Sequence, residues 1–479
     1  MYDVLIIGCG VSGAACAYSL SKYELSLCII DASNDVSNGT SKANSAIIHA
    51  GYDPKPGSLM AKLNVEGNAM AGDICEKLDV PFKRIGSLVL GFNEADRAHL
   101  QKLYERGVNN AVPGIALLSA EEVKAMEPNI ADNVVGALYA PSAGVISPWE
   151  YTLAMAETAV KNGAEIYLST RAEAIESIEG GYKVKTNKGD FETCYIISAV
   201  GVDAESLRSM LEEPDYKIVP TRGQYFLLDK SEGGIVNHVI FQCPDEKGKG
   251  VLVSPTVHGN LIVGPDAEKT AAGDRATSTV GLDKIAATAR RSVPSLNVRQ
   301  NIRNFAGVRA NSDRDEFIIE ESAAFPGFID LAGIKSPGLS AAPAIGEYVA
   351  DMIRAGGKLP FEKKEGFIDS RRRIRFAELS HEEKAKIVGE NPAYGRIVCR
   401  CETVTEGEIV SALHSPIPPV SVNAVKRRVG AGMGRCQGGF CSAIVHQLIS
   451  RELGIPMEDI PKEDEGSYIL IPLRLKGDK

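Results

Sequence analysis

The sequence predicts an α/β protein in which one parallel sheet is interrupted twice by long antiparallel insertions, with a small helical unit behind it. Three observations lead there. The chain opens on an apolar strand, Val4-Leu5-Ile6-Ile7, that breaks into Gly8-Cys9-Gly10-Val11-Ser12-Gly13. Two further apolar runs, 195–200 and 328–332, also end on a glycine, Gly201 and Gly333. The stretches between favour short strands and turns. A short apolar run bounded by glycine is a strand buried on both faces, and strands of that kind belong to parallel sheets. The expected architecture is a Rossmann-like nucleotide-binding domain interleaved with an antiparallel-sheet α+β domain.

In the first loop each glycine has a separate reason. Gly8 permits the tight turn, Gly10 lets the backbone approach a pyrophosphate, and Gly13 lets helix and strand pack closely. Val11 and Ser12 open the following helix, whose free N–H groups and positive dipole end favour phosphate oxygens. The second strand, 25–30, ends on Asp31, where a carboxylate can hold a ribose hydroxyl. No Lys or Arg follows before Lys42, so a 2′-phosphate would find no partner.

Thr40, Ser41, Asn44 and Ser45 lie in a polar run at an expected helix start, as caps or as ligands of a cofactor pyrophosphate or ring. Helices are expected over 57–79 and 148–162, with an α+β insertion at 82–139. Residues 172–178, 182–186 and 191–193 read as a three-stranded meander, with a separate buried strand after them. The last buried strand runs from Gly333 through Ser336-Pro337-Gly338-Leu339-Ser340 into a helix over 341–354. The domains expected are nucleotide-binding segments at 1–80, 145–215 and 325–356 and substrate segments at 81–144 and 216–324. A linker over 357–394, a third domain over 395–460 and a tail over 461–479 complete the chain.

Composition narrows the function. A net charge of −9 over 479 residues argues against nucleic acid or anionic lipid as the partner of the whole chain. No apolar run approaches the roughly 18 residues of a membrane span. Strand one starts at once, so a cytoplasmic protein is expected, with membrane contact only through a partner. The run Arg371-Arg372-Arg373-Ile374-Arg375 reads as a solvated face, its other reading being a patch for an acidic electron carrier.

Six of the ten cysteines are scattered and read as small core residues. Cys399, Cys401, Cys436 and Cys441 stand as two close pairs, on loops between three short helices, and ask for a metal. Thiolates suit zinc or iron–sulfur clusters. Cys399-x-Cys401 is tight for zinc, and Gly430, Gly432, Gly434, Gly438 and Gly439 would let backbone amides approach cluster sulfurs.

Four motifs carry a family resemblance: residues 44–51 (Asn-Ser-Ala-Ile-Ile-His-Ala-Gly), Arg222-Gly223-Gln224-Tyr225, Gly307-Val308-Arg309, and Gly333-Ile334-Lys335-Ser336-Pro337-Gly338-Leu339. Over residues 1 to 356 the sequence resembles FAD-dependent oxidoreductases of the D-amino-acid-oxidase type, nearest to glycerol-3-phosphate dehydrogenases and L-2-hydroxyglutarate oxidases. Residues 427–441 resemble the bacterioferritin-associated-ferredoxin type of 2Fe–2S domain. The resemblance implies FAD in the loop 8–13 and a 2Fe–2S cluster on the four cysteines.

Oxidising an alcohol needs an acceptor for the hydroxyl proton. His49 and His258 are the candidates, because imidazole titrates near neutral pH. The resemblance places Arg309 at the substrate anion, where a guanidinium fork fits phosphate or carboxylate. Lys335 could hold substrate charge or the flavin edge. The function expected is dehydrogenation of a small anionic secondary alcohol, glycerol 3-phosphate first, with electrons leaving through the cluster to an acceptor protein or a second oxidoreductase subunit. An oxidase has no need of such a cluster, because oxygen takes electrons from the flavin directly. The alternatives are L-2-hydroxyglutarate, another 2-hydroxy acid or, after these, an amino acid as substrate, an electron-transfer subunit without its own small substrate, and a zinc-stabilised oxidase.

Overall fold

The computed structural model describes residues 1–244 and 250–471, so the expected tail leaves the described residues at 472. The chain divides into two compact units. One comprises 1–30 and 37–371; the other comprises 31–36 and the chain from 372 on.

The first unit is built on β1 (Tyr2–Ile7), α1 (Val11–Leu20), β2 (Leu27–Ile30), β3 (Gly189–Ser198), β4 (Ile218–Leu228), β5 (Asn301–Ser312), β6 (Phe328–Ala332) and α2 (Gly338–Ala355). Strands β6, β3, β1 and β2 lie side by side and parallel, followed by Glu165–Tyr167. Their apolar runs are buried on both faces, with Leu5, Ile29, Ile196 and Phe328 fully enclosed, as a sheet covered by helices requires. The meander and the separate strand expected after it share one strand. The start of β3 pairs antiparallel with Gly181–Thr186 and its end runs parallel to β1, because no turn residue breaks the chain between Phe191 and Ser198.

The second sheet of this unit lays β4 against β5 and continues through Leu261–Gly264, Leu252–Pro255, Val239–Gln242, Ser87–Gly91 and Gly136–Ala140. It is antiparallel apart from Val239–Gln242, which runs parallel to Ser87–Gly91. Helix Thr279–Ala289 covers it, with Ile285 and Ala289 packed among Val253, Leu261 and Val263. Thr40 does not start the expected helix. A single 3₁₀ turn, Thr40–Lys42, gives way to the short strand Ile47–Ile48, because the Asn44 amide closes on the Thr40 and Ser41 carbonyls.

The stretch 357–394 is not plain linker by structure: 357–371 cluster with the first unit, and helix His381–Glu390 forms within the second. Nor is the basic run one solvated face. Arg371 is buried, its Nε donating to Glu157 Oε2 at 2.6 Å.

In the second unit, strands Ile397–Cys399 and Val404–Thr405 pair beside helices Glu406–Leu413, α3 (Val422–Val429) and α4 (Cys441–Leu453). Thr405 and Glu408 form the capping box their spacing predicts, and Ser421 caps α3. Val398, Ile409, Val425, Val445 and Ile449 fill the core. Asp35, also of this unit, is buried between Arg428 (2.9 Å) and Arg427 (2.8 Å), and Arg427 reaches Glu463 at 2.5 Å. No helix among the described residues is long and apolar enough to cross a membrane.

Candidate active site and cysteine centre

The registers Ile7↔Ser198 and Ser198↔Asp330 bring the carboxyl ends of β1, β3 and β6 to one edge of the sheet. Gly8, Gly201 and Gly333 follow there, all with left-handed φ (+99°, +64° and +66°). Ligands of open α/β sheets bind outside such carboxyl ends. A Cβ on Gly13 would stand 2.0 Å from the Gly8 carbonyl oxygen, so only glycine lets α1 start this close to β1. Gly10 caps α1, and the Val11 N–H donates to Ser41 Oγ at 2.9 Å, with Ser12 next in the turn.

Helix-start N–H groups, a hydroxyl beside them and a backbone bare of side chains fit the pyrophosphate of a dinucleotide. Ser41 is therefore the polar side chain at the cradle. Thr40 donates to the Val308 carbonyl (2.6 Å), and Asn44 spends its amide on turn backbone and accepts from the Ala46 N–H (2.8 Å). Asp31 follows β2 directly, its Oδ1 accepting from the Ser33 N–H at 2.7 Å.

His49 is fixed through its backbone. Its N–H donates to Ser340 Oγ at 2.7 Å, and its carbonyl accepts from the Asn64 and Asn68 amides. The imidazole, half-buried, stacks on Phe241 (5.8 Å between centroids), with Nε2 3.2 Å from Ser336 Oγ. This joins His49 to the Ser336-Pro337-Gly338-Leu339-Ser340 entry into α2. Ser45 Oγ lies 3.2 Å from the Tyr225 hydroxyl.

His258 sits in the turn after Leu252–Pro255, its ring parallel to Trp149 and Nε2 4.0 Å from Glu150 Oε1. The neighbouring Val257 shares an apolar cluster with Ile47, Tyr225 and Val239, and Phe241 packs against it. Lys335 pairs with Asp315 at 2.7 Å, a contact whose acid is 98% exposed. Arg309 stands near the end of β5, Nη2 donating to the Asp266 carbonyl at 3.2 Å. Sequence reasoning passed over Tyr225, Phe241, Trp149 and Asp266 as site residues. Only Tyr225 carried a signal, inside Arg222-Gly223-Gln224-Tyr225; the others meet the site through space.

The cysteines of the second unit stand as two crossed pairs. Cys401 Sγ is 3.6 Å from Cys436 Sγ, and the Cys441 thiol hydrogen-bonds Cys399. Cys399 ends a strand and Cys441 starts α4, so only Cys401 and Cys436 lie on loops. Two thiolates on one tetrahedral iron, each about 2.3 Å from it, are separated by roughly 3.7 Å. Among the described residues no three His, Cys, Asp or Glu side chains converge as for a single ion. Two pairs suit a two-iron cluster.

Backbone N–H groups are aimed at the sulfurs. The Cys441 thiol and the amides of Gly432, Glu402 and Cys401 hold Cys399 down at about 6, against its burial. Desolvation opposes the same effect at Cys436, where the Cys401 thiol and the amides of Gly438, Phe440 and Gly439 prevail and lower it. By contrast burial alone pushes Cys16 up to about 12, an inert thiol.

Comparison with known proteins identifies both domains. Residues 3–352 match the model of the FAD dependent oxidoreductase family, and residues 397–451 match the BFD-like 2Fe-2S binding domain. A glycerol 3-phosphate dehydrogenase of Caloramator mitchellensis is 53% identical over 98% of each chain. A glycerol 3-phosphate oxidase of Mycoplasma genitalium is 34% identical over 73% of this chain and 94% of its own. The structure of dithionite-reduced L-alpha-glycerophosphate oxidase from Mycoplasma pneumoniae, with FAD bound, superposes with a TM-score of 0.73 at 32% identity, covering 77% of this chain and 98% of that one. Two family models thus cover the two domains: the chain belongs to the FAD-dependent oxidoreductases and carries a BFD-like 2Fe–2S domain.

Proposed function

We propose that the chain dehydrogenates glycerol 3-phosphate to dihydroxyacetone phosphate and hands the electrons to an acceptor protein. The likeness to the Caloramator protein carries this reading, because it runs through the flavin and cysteine domains alike. Bound FAD supplies the hydride acceptor and the 2Fe–2S centre a one-electron outlet. The chain's own residues do the rest. Gly8, Gly10, Gly13 and Ser41 receive the cofactor pyrophosphate, and Asp31 receives a ribose hydroxyl. Arg309 holds the substrate phosphate with charge-assisted N–H bonds.

His49, its backbone tied at three points and its ring braced on Phe241, accepts the hydroxyl proton at Nε2. His258 is the second candidate for that proton, with Glu150 beside it. Cys399, Cys401, Cys436 and Cys441 hold the cluster. The guanidinium fork would also suit a carboxylate, which keeps L-2-hydroxyglutarate as the second substrate to test. Anaerobic bleaching of the flavin absorbance by glycerol 3-phosphate, L-2-hydroxyglutarate and glycine separates the readings. Bleaching by L-2-hydroxyglutarate alone would sink the first.

A further inference from the structure

We infer that Gly223 and Asp266 are positioning residues that aim the Arg309 guanidinium while leaving its charge unneutralised. This rests on Arg309 as the anion ligand and assigns a role to the Arg222-Gly223-Gln224 motif. Strands β4 and β5 pair antiparallel with Thr221 opposite Arg309 and Gly223 opposite Gly307. Residues 223 and 309 are therefore diagonal neighbours on one face of the sheet, within reach of a long side chain. A Cβ at position 223 would lie 2.3 Å from Arg309 Nη2 and 2.9 Å from its Cζ, so the guanidinium lies over the bare backbone of Gly223. The same Cβ would meet Pro265 Cβ at 2.9 Å, which places Pro265 beside the slot.

The next residue closes the arrangement. Arg309 Nη2 donates to the backbone carbonyl of Asp266, while the Asp266 carboxylate is occupied elsewhere. Its Oδ1 accepts from the Gln224 N–H (2.8 Å) and its Oδ2 from Gln224 Nε2 (2.7 Å). Gln224 is fully buried, and its Oε1 accepts from the Ser278 N–H at 2.5 Å. Arg222 holds the following residues through Glu268 (2.7 Å) and Asp274 (2.8 Å). Residues 265–268 are thus pinned by Arg222 and Gln224, which flank Gly223 on β4, and the Asp266 carbonyl is fixed with them.

The choice of acceptor matters. A carboxylate bonded to the guanidinium would compete with a substrate anion for its charge; a carbonyl orients the group and leaves that charge available. Arginine has much rotamer freedom to lose on binding, and a side chain ordered beforehand binds more tightly.

The test uses full-length, FAD- and iron-loaded protein carrying Gly223→Ala, Asp266→Asn, Arg309→Met, and each of the first two combined with the third. Stopped-flow anaerobic bleaching against glycerol 3-phosphate concentration gives an apparent dissociation constant and a limiting rate, and inorganic phosphate serves as a competing probe. Gly223→Ala and Asp266→Asn are expected to weaken binding of both ligands by about tenfold, the scale of one charge-assisted hydrogen bond, with FAD content unchanged and the limiting rate nearly so. In the Arg309→Met background each should add less than about twofold, because a residue that acts through Arg309 is silent without it.

Full additivity in that background would mean a general distortion of the sheet and overturn the inference. So would normal binding by Gly223→Ala and Asp266→Asn beside weak binding by Arg309→Met, although Arg309 would then stand as the anion ligand. Normal binding by Arg309→Met overturns that underlying assignment instead. Should Gly223→Ala fail to fold, Asp266→Asn decides by the same cycle.

Discussion

At Arg309, geometry matters as much as charge. Arg309→Lys keeps the charge and loses the planar fork, so it should weaken glycerol 3-phosphate binding by roughly ten- to a hundredfold. FAD content should stay normal, since the cradle at Gly8 to Gly13 is built from other strands. Anaerobic bleaching titrations check both; wild-type binding by this variant would move the anion elsewhere, with Lys335 next in line. Asp35 gives a stability test. Burial raises its carboxyl, but the guanidinium groups of Arg428 and Arg427 prevail and hold it at about 2. The folded value lies below the ordinary value of about 3.9, so its stabilisation is complete above about pH 4 and is lost as pH falls through 2. Asp35→Asn, which leaves two buried guanidinium groups without their carboxylate, should cost about 3–5 kcal/mol at neutral pH. Denaturant unfolding from pH 7 down to 2 would show the gap to wild type closing at the acid end; a constant gap would refute the linkage. None of this was legible in the sequence, where Asp35 and Arg427 are nearly the whole chain apart. The cradle glycines were legible because they are close in sequence, and the four cysteines because their chemistry is narrow; that Cys401 faces Cys436 and Cys399 faces Cys441 was not.

Elements were read best where one local rule decided them. The capping box at Thr405 and Glu408 formed as its residues dictate, and α4 stops at Gly454, which takes the left-handed conformation glycine favours. The strand β3 was misdivided because burial changes along it while the backbone does not turn, so only its partners reveal one strand. The 3₁₀ turn at Thr40 was mistaken for a helix start because a polar run before apolar residues serves both. Helix α1 starts tight against the end of β1, and Gly13→Val tests that approach. Even a Cβ there meets the Gly8 carbonyl at 2.0 Å, so α1 must move off the strand and its N–H groups with it. The variant is expected to purify with little FAD and normal iron, as measured by flavin absorbance after denaturation and by metal analysis. Full FAD retention would mean that the cofactor is held mainly elsewhere.

For the whole molecule, the expected composition of protein purified anaerobically is about one FAD, two irons and two sulfides per chain. Cys436→Ala, which removes one thiolate of the outer pair, should lose the iron and keep the flavin. Glycerol 3-phosphate should still bleach that flavin, while turnover with a one-electron acceptor falls. Unchanged turnover would make the cluster structural. That a flavin domain and a 2Fe–2S domain share the chain was legible from two motifs of unrelated chemistry; the line between the two compact units was not, because residues 31–36 sort by contact and not by sequence.

That split has a consequence for how the protein is made. The carboxyl-terminal unit is not a cassette that can be transplanted by cutting the chain once, since Asp35 belongs to it. A graft of residues 372–479 onto another flavoprotein would carry Arg428 without Asp35 and leave Arg427 to Glu463. The order of synthesis runs the same way. Asp35 leaves the ribosome first, and at about 5–20 residues per second Arg427 follows roughly 20–80 s later. Over that interval the nascent chain holds a hydrated carboxylate in a place whose counter-ions have not been translated, so this unit closes last, after nearly all the remaining polypeptide exists.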